Sequence, residues 1–67
     1  MNEDIFKGKW NQFKGNIKQT WGELTDNDIA QVEGSYDRLV GVLQERYGWE
    51  RARAEREIED YFARQRI

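Results

Sequence analysis

The sequence predicts an all-α protein, a small compact bundle of three to four helices. Two related helical units make up most of it, and a C-terminal helix completes it. Three observations lead there. Apolar residues recur at helical steps, with no strict alternation of the kind that marks strands. Two stretches of the chain resemble each other closely. The last third is dense in charges spaced four residues apart. The 67 residues suffice for one domain, residues 1–67. A chain this short buries only about 60% of the surface it exposes when unfolded. With 37% hydrophobic and 36% charged residues its core is thin. Three Trp, three Tyr and three Phe must supply most of that core, since aromatics bury much area from few positions.

The first unit carries Phe6, Trp10, Phe13, Ile17 and Trp21, at steps of 4, 3, 4 and 4. The second carries Ile29, Val32, Tyr36, Leu39, Leu43 and Tyr47, at steps of 3, 4, 3, 4 and 4. Such steps draw an apolar stripe down one face of a helix. The two units are related by a shift of 26 residues, which superposes Gly8, Gly15 and Gly22 on Gly34, Gly41 and Gly48. Aromatic then matches aromatic (Trp10 with Tyr36, Trp21 with Tyr47) and apolar matches apolar (Phe13 with Leu39, Ile17 with Leu43). Repeats of this size are supersecondary units that cannot bury their apolar faces alone. Two copies fit a pair of units packed on each other, with the stripes as shared core.

The glycines call for reasons, because Gly inside a helix costs about 1 kcal/mol relative to Ala. Gly22 and Gly48 suit the left-handed position that closes a helix. Gly15 and Gly41 fall inside the helices and are expected at close helix crossings, where an added methyl would overpack. Gly8 and Gly34 mark a kink or a break. A break at Gly34 gives helices over about 26–33 and 35–47, and otherwise residues 26–47 form one bent helix. Thr25-Asp26-Asn27-Asp28 offers N-cap oxygens ahead of Ile29. A calcium loop beginning at Asp26-x-Asp28 is excluded, because Ala30 and Gln31 stand where an acidic or amide residue and a Gly are required.

The segment from Trp49 to Ile67 reads as the last helix, with Trp49, Ala52, Ile58, Tyr61 and Phe62 facing inward. Arg51–Glu55, Arg53–Glu57, Arg56–Asp60 and Asp60–Arg64 are i,i+4 pairs, each contributing a few tenths of a kcal/mol (about 0.2–0.5). Residues 64–67 are expected to fray.

Charge and composition narrow the function. There are 11 basic and 13 acidic residues, net −2, with a sequence pI of about 5.1 and mean hydropathy −1.06. All four lysines (Lys7, Lys9, Lys14, Lys18) precede residue 19, and all seven arginines lie from Arg38 onward. The lysines read as a solvated helix face, or as a weak phosphate-binding face. The acidic balance disfavours nucleic acid, whose binders are usually basic. With no Cys there is neither a disulfide nor a thiolate metal site. With no His, the commonest general base and metal ligand is missing. The hydroxyls of Thr20, Thr25, Ser35 and the tyrosines have no histidine to activate them. Glu55 with Glu59, and Glu57 with Asp60, read as solvated carboxylates. The sequence therefore assigns no catalytic, cofactor-binding or metal-ligating residue, and an enzyme is not expected. No apolar run approaches the ~20 residues of a membrane span. The acidic start Met1-Asn2-Glu3-Asp4 is unlike a secretory leader, so a cytoplasmic location is expected.

At the glycine–aromatic repeats the chain resembles the CsbD-like family of small bacterial stress-response proteins. The resemblance rests on Trp10-Asn11-Gln12-Phe13-Lys14-Gly15, Gln19-Thr20-Trp21-Gly22-Glu23-Leu24-Thr25-Asp26, Glu33-Gly34, Asp37-Arg38-Leu39-Val40-Gly41 and Gln44-Glu45-Arg46-Tyr47-Gly48. It departs mildly at Asn27, where the family usually has Asp, and at Val42, where Lys is common. The resemblance implies a compact helical fold, a cytoplasmic location and a role in general or osmotic stress. It carries over no mechanism and no site residue.

The leading functional expectation is a non-enzymatic stress protein of hydrophilin-like composition, acting as a protectant or a weak binder of client proteins. The alternative is an interaction module for one specific protein partner, another copy of itself included, docking through an apolar patch. Nucleic-acid binding through Lys7, Lys9, Lys14 and Lys18 ranks third.

Overall fold

The computed structural model describes residues 3–65. It contains α1 (Glu3–Phe13), a 3-10 turn (Lys14–Asn16), α2 (Ile17–Thr20), α3 (Asp26–Val32), α4 (Tyr36–Tyr47) and α5 (Arg51–Gln65). No strand occurs among the described residues. With α1 and α2 counted as one bent arm, four helical arms surround one core, as the periodicity predicts. The radius of gyration is 10.8 Å, whereas an unfolded chain of this length would measure about 25 Å.

The stripes meet in the middle. Phe6, Trp10, Phe13, Ile17 and Trp21 from the first unit are buried together with Val32, Leu39 and Leu43 from the second. Tyr36, Tyr47 and Ile29 are half-buried and pack against this cluster. Phe6 is the hub of the aromatic set. Its ring lies 5.9 Å from Trp10, 5.7 Å from both Phe13 and Tyr36, and 5.6 Å from Phe62. Phe13 meets Phe62 edge-on at 4.6 Å. Edge-to-face pairs of this kind are favoured by the ring quadrupoles.

The last helix turns inward the face the sequence suggests at Ile58, Tyr61 and Phe62, and differs at Ala52. Ala54, Ile58 and Tyr61 are buried and Phe62 is half-buried, while Ala52 is exposed. Trp49 precedes the helix and is half-buried. Arg51–Glu55 and Arg53–Glu57 close at 3.0 and 3.4 Å. Neither Arg56–Asp60 nor Asp60–Arg64 forms an ion pair among the described residues. The helix continues to Gln65, past the expected fraying point, and residues 66 and 67 lie outside the described chain.

The two units share a stripe but break at different places. At Gly34 the break is real: Glu33 has φ 49° and Gly34 φ 75°, both left-handed. Ser35 then caps α4, its hydroxyl accepting from the Arg38 N–H at 3.4 Å. The repeat equivalent of Ser35 is Lys9, which has no acceptor to offer, and α1 runs unbroken through Gly8. The first unit bends instead at residues 14–16, where Gly15 and Asn16 are both poor helix formers. Gly48 has φ 71° and closes α4 as expected, its N–H bonding to the Gln44 carbonyl at 2.9 Å. Gly22 is not left-handed and does not play the same part.

The expectation for Gly15 and Gly41 is overturned. Both are exposed, and a methyl group on either would meet no atom within 4 Å. The close crossing is at Gly34, where an added Cβ would lie 3.2 Å from Lys7 Cγ and 3.5 Å from Trp10 Cβ. Gly15→Ala and Gly41→Ala should therefore raise the melting temperature, each stabilising by about 0.4–1 kcal/mol. Gly34→Ala should lower it, since left-handed strain alone costs about 1–2 kcal/mol before the contact with α1 is counted. Thermal melts of the three variants followed by circular dichroism check the signs.

Candidate functional surface

Of the sequence-derived candidates, the lysines come first. Lys7, Lys9, Lys14 and Lys18 are all exposed. Lys7 and Lys14 line an open cleft of about 560 Å³ between α1 and α3, together with Trp10 and Ile29. Acidic groups share the cleft. Asp26 and Glu33 stand on its α3 side, and Asp26 binds Lys18 at 3.0 Å. Glu33 also binds Arg38 at 3.5 Å. A phosphate entering here would meet carboxylates as well as ammonium groups, which weakens the attraction nucleic acid depends on.

Asp28 is the one buried carboxylate among the described residues. Thr25 and Asp28 form a reciprocal cap at the start of α3. The Asp28 N–H donates to Thr25 Oγ1, and the Thr25 N–H donates to Asp28 Oδ2, both at 3.1 Å. Arg46, near the end of α4, adds a forked pair from Nε to Oδ2 at 2.9 Å and from Nη2 to Oδ1 at 2.8 Å. The Arg46 hydrogen bonds, and behind them the Thr25 N–H, outweigh burial and hold the Asp28 carboxyl down at about 2. This group stays ionised, with both oxygens occupied, and is built to fix α3 against α4 rather than to move protons. The cap was legible from Thr25-Asp26-Asn27-Asp28. The arginine was not, because it lies 18 residues away.

The lowered pKa has a consequence for acid stability. Unfolded Asp titrates at about 3.9. The stabilisation is thus complete above about pH 4 and fades as pH falls toward about 2, where the folded carboxyl takes its proton. In Asp28→Asn that portion of the acid loss should vanish. Denaturant midpoints for the parent and the variant between pH 5 and 2 should converge downward, with the parent losing more.

Several other polar groups also help to hold the fold. Tyr47 and Trp49 stack at 4.4 Å with 12° between planes, and the Arg53 guanidinium lies 4.9 Å from the Trp49 ring centre. The Tyr47 hydroxyl accepts from the Glu23 N–H at 3.3 Å. Arg51 bridges Asp37 on α4 at 2.7 Å and Glu55 on its own helix. Glu55 and Glu57, two of the carboxylates in the paired set, are occupied by Arg51 and Arg53, while Glu59 and Asp60 are exposed. The Tyr61 hydroxyl is closed off, and burial raises its pKa, with the Thr20 hydroxyl working against that shift. Among the described residues no group of three or more Asp or Glu is gathered where it could hold a metal ion. No helix among them is long and apolar enough to cross a membrane.

The sequence profile of the CsbD-like family matches residues 4–56. The chain belongs to the CsbD-like family. This bears out the resemblance carried by the glycine–aromatic repeats, and the match spans both units and the start of α5. Among CsbD-like relatives, the chain is 54% identical over 61 residues to the UPF0337 protein PA4738 of Pseudomonas aeruginosa, covering 91% of this chain and 94% of that one. It is 50% identical over 64 residues to the UPF0337 protein YjbJ of Escherichia coli K12, covering 96% and 93%. A UPF0337 protein of Bordetella pertussis is 48% identical over 64 residues, covering 96% and 97%. The alignments run over 91–96% of this chain.

Proposed function

We propose that this CsbD-like protein is a non-enzymatic, cytoplasmic stress-response protein that protects other proteins, binding them weakly when they begin to unfold. The observation that carries the reading is the division between interior and surface. Nine aromatic residues are gathered in or against a closed core, and the surface is a dense mixture of both charge signs. Such a surface keeps its hydration and resists self-association. The one buried carboxylate is consumed in capping and in the Arg46 fork, which favours a structural over a catalytic use of the polar groups. A dedicated docking module would call for an apolar patch at rest. Ile5, 54% exposed, is the large hydrophobic that stands out among the described residues, too little for that alternative. Acidic groups in the lysine cleft disfavour the nucleic-acid reading.

Heating a labile enzyme with an equimolar amount of this protein, while following light scattering, tests the proposal. Scattering should be delayed or reduced beyond the effect of an inert protein of equal size. Equal scattering with both additives rejects the protectant role.

A further inference from the structure

Stabilising devices are spread unevenly along the chain. The Thr25–Asp28 box opens α3, Ser35 opens α4 and Gly48 closes it. Asp28–Arg46 ties α3 to α4, Asp37–Arg51 ties α4 to α5, and Arg51–Glu55 and Arg53–Glu57 brace α5. Residues 3–20 are built differently. Gly8 and Gly15 are exposed with room for a methyl group, as is Gly41 on α4, so residues 3–20 hold two glycines without a packing reason and α4 holds one. Neither the 3-10 turn nor α2 starts with a side-chain cap. α2 has four residues, far below the roughly 12–15 at which a helix begins to hold itself. The Lys18–Asp26 pair is exposed at both ends and adds little. The main hold on this segment is burial of Phe6, Trp10, Phe13 and Ile17.

We propose that residues 3–20 form a detachable strap, which opens before the rest of the protein unfolds, and that the open form is the one that binds clients. This rests on the protectant reading and supplies its chemistry. Segments with weak local support open below the global free energy. Opening places Phe6, Trp10, Phe13 and Ile17 in solvent on a segment that also carries Lys7, Lys9, Lys14 and Lys18. It uncovers Tyr36 and Phe62, against which Phe6 packs, and Tyr61, against which Phe13 packs. The combined surface is aromatic with a cationic rim. It suits an unfolding protein that exposes apolar side chains near acidic ones. At rest the same surface is closed, so the protein shows no adhesive patch until stress loosens the strap. The surface glycines then have a use, in keeping the strap's stability low.

Native-state hydrogen exchange separates this from a single cooperative unit. The α1 amides should exchange through an opening that spares α4 and α5. The double variant Gly8→Ala, Gly15→Ala should slow α1 exchange about ten-fold. Gly41→Ala, inside α4, should slow exchange in α4 and α5 and leave α1 unchanged. If Gly41→Ala slows α1 as much as α5, the protein opens as one unit and the strap does not exist. The client half is read from heat aggregation of citrate synthase. The double variant should need several-fold more protein for the same protection, and Gly41→Ala should match the parent. Equal protection by all three overturns the role of the strap. No protection by any of them overturns the protectant reading and client binding by the strap together, and exchange alone then decides whether the strap opens.

Discussion

Phe6→Ala should cost about 3–5 kcal/mol, the range for removing a fully buried aromatic side chain. Phe6 is entirely buried and touches four other rings from three helices, Trp10 and Phe13 on α1, Tyr36 on α4 and Phe62 on α5. The cavity opens where α1, α4 and α5 meet, so no single helix can shift to fill it. A domain this small seldom has more than about 3–5 kcal/mol to lose. Residues 3–20 of the variant should therefore be largely undocked at moderate temperature, with the α1 amides the first to lose protection. Urea unfolding followed at 222 nm measures the loss.

Leu39→Ala should cost about 2–5 kcal/mol, and it acts in the other half of the molecule. Leu39 is fully buried on α4, in the part stitched by caps and ion pairs. None of those polar contacts replaces its apolar area, because the caps and the Asp28–Arg46 fork fix helix ends rather than fill the centre. Its repeat partner Phe13 is buried as well, and Phe13→Ala should fall in the same range. A parent-like melting curve for both Leu39→Ala and Phe13→Ala would mean that the repeat stripes are not the core.

The stripes were legible in the sequence because burial follows helical period wherever a helix is continuous. Phe6, Trp10, Phe13, Ile17, Leu39 and Leu43 could be placed on that rule alone. The helix limits were less legible. Gly8 and Gly34 are equivalent by repeat, yet one lies inside a helix and the other ends one. The deciding residue is the next, Lys9 against Ser35, since only the serine can accept a bond from a free helix N–H. The phase of α5 is obscured in the sequence by Trp49, which looks like its first inner position. The helix starts at Arg51, so the stripe runs Ala54, Ile58, Tyr61, Phe62, and Ala54 rather than Ala52 is buried.

The glycines show the limit of local reasoning most clearly. A helical Gly costs the same in sequence whether it faces a neighbouring helix or open water. Only the packed structure shows that Gly34 sits against α1 while Gly15 and Gly41 face outward. The candidate surface was legible in its residue types, since the lysines lie where the helical pattern places them. Its character was not. The acidic groups Asp26 and Glu33 come from the two ends of α3, and they turn a cationic face into a mixed one. Asp28 belongs with these, as its arginine partner arrives through tertiary packing that no local pattern announces.

These features make a consistent physical picture of a protectant. The folded form has its aromatics closed away and its charges outward. On the proposed reading, loss of water or rising temperature opens residues 3–20 first, and the aromatic surface becomes available as clients unfold.

The most direct measurement dries a labile enzyme with and without an equimolar amount of this protein, rehydrates it and assays the enzyme's own activity. The account predicts that recovered activity exceeds that obtained with an inert folded protein of equal size and charge, and that the Gly8→Ala, Gly15→Ala double variant protects less than the parent. Recovery no better than with the inert protein would contradict it.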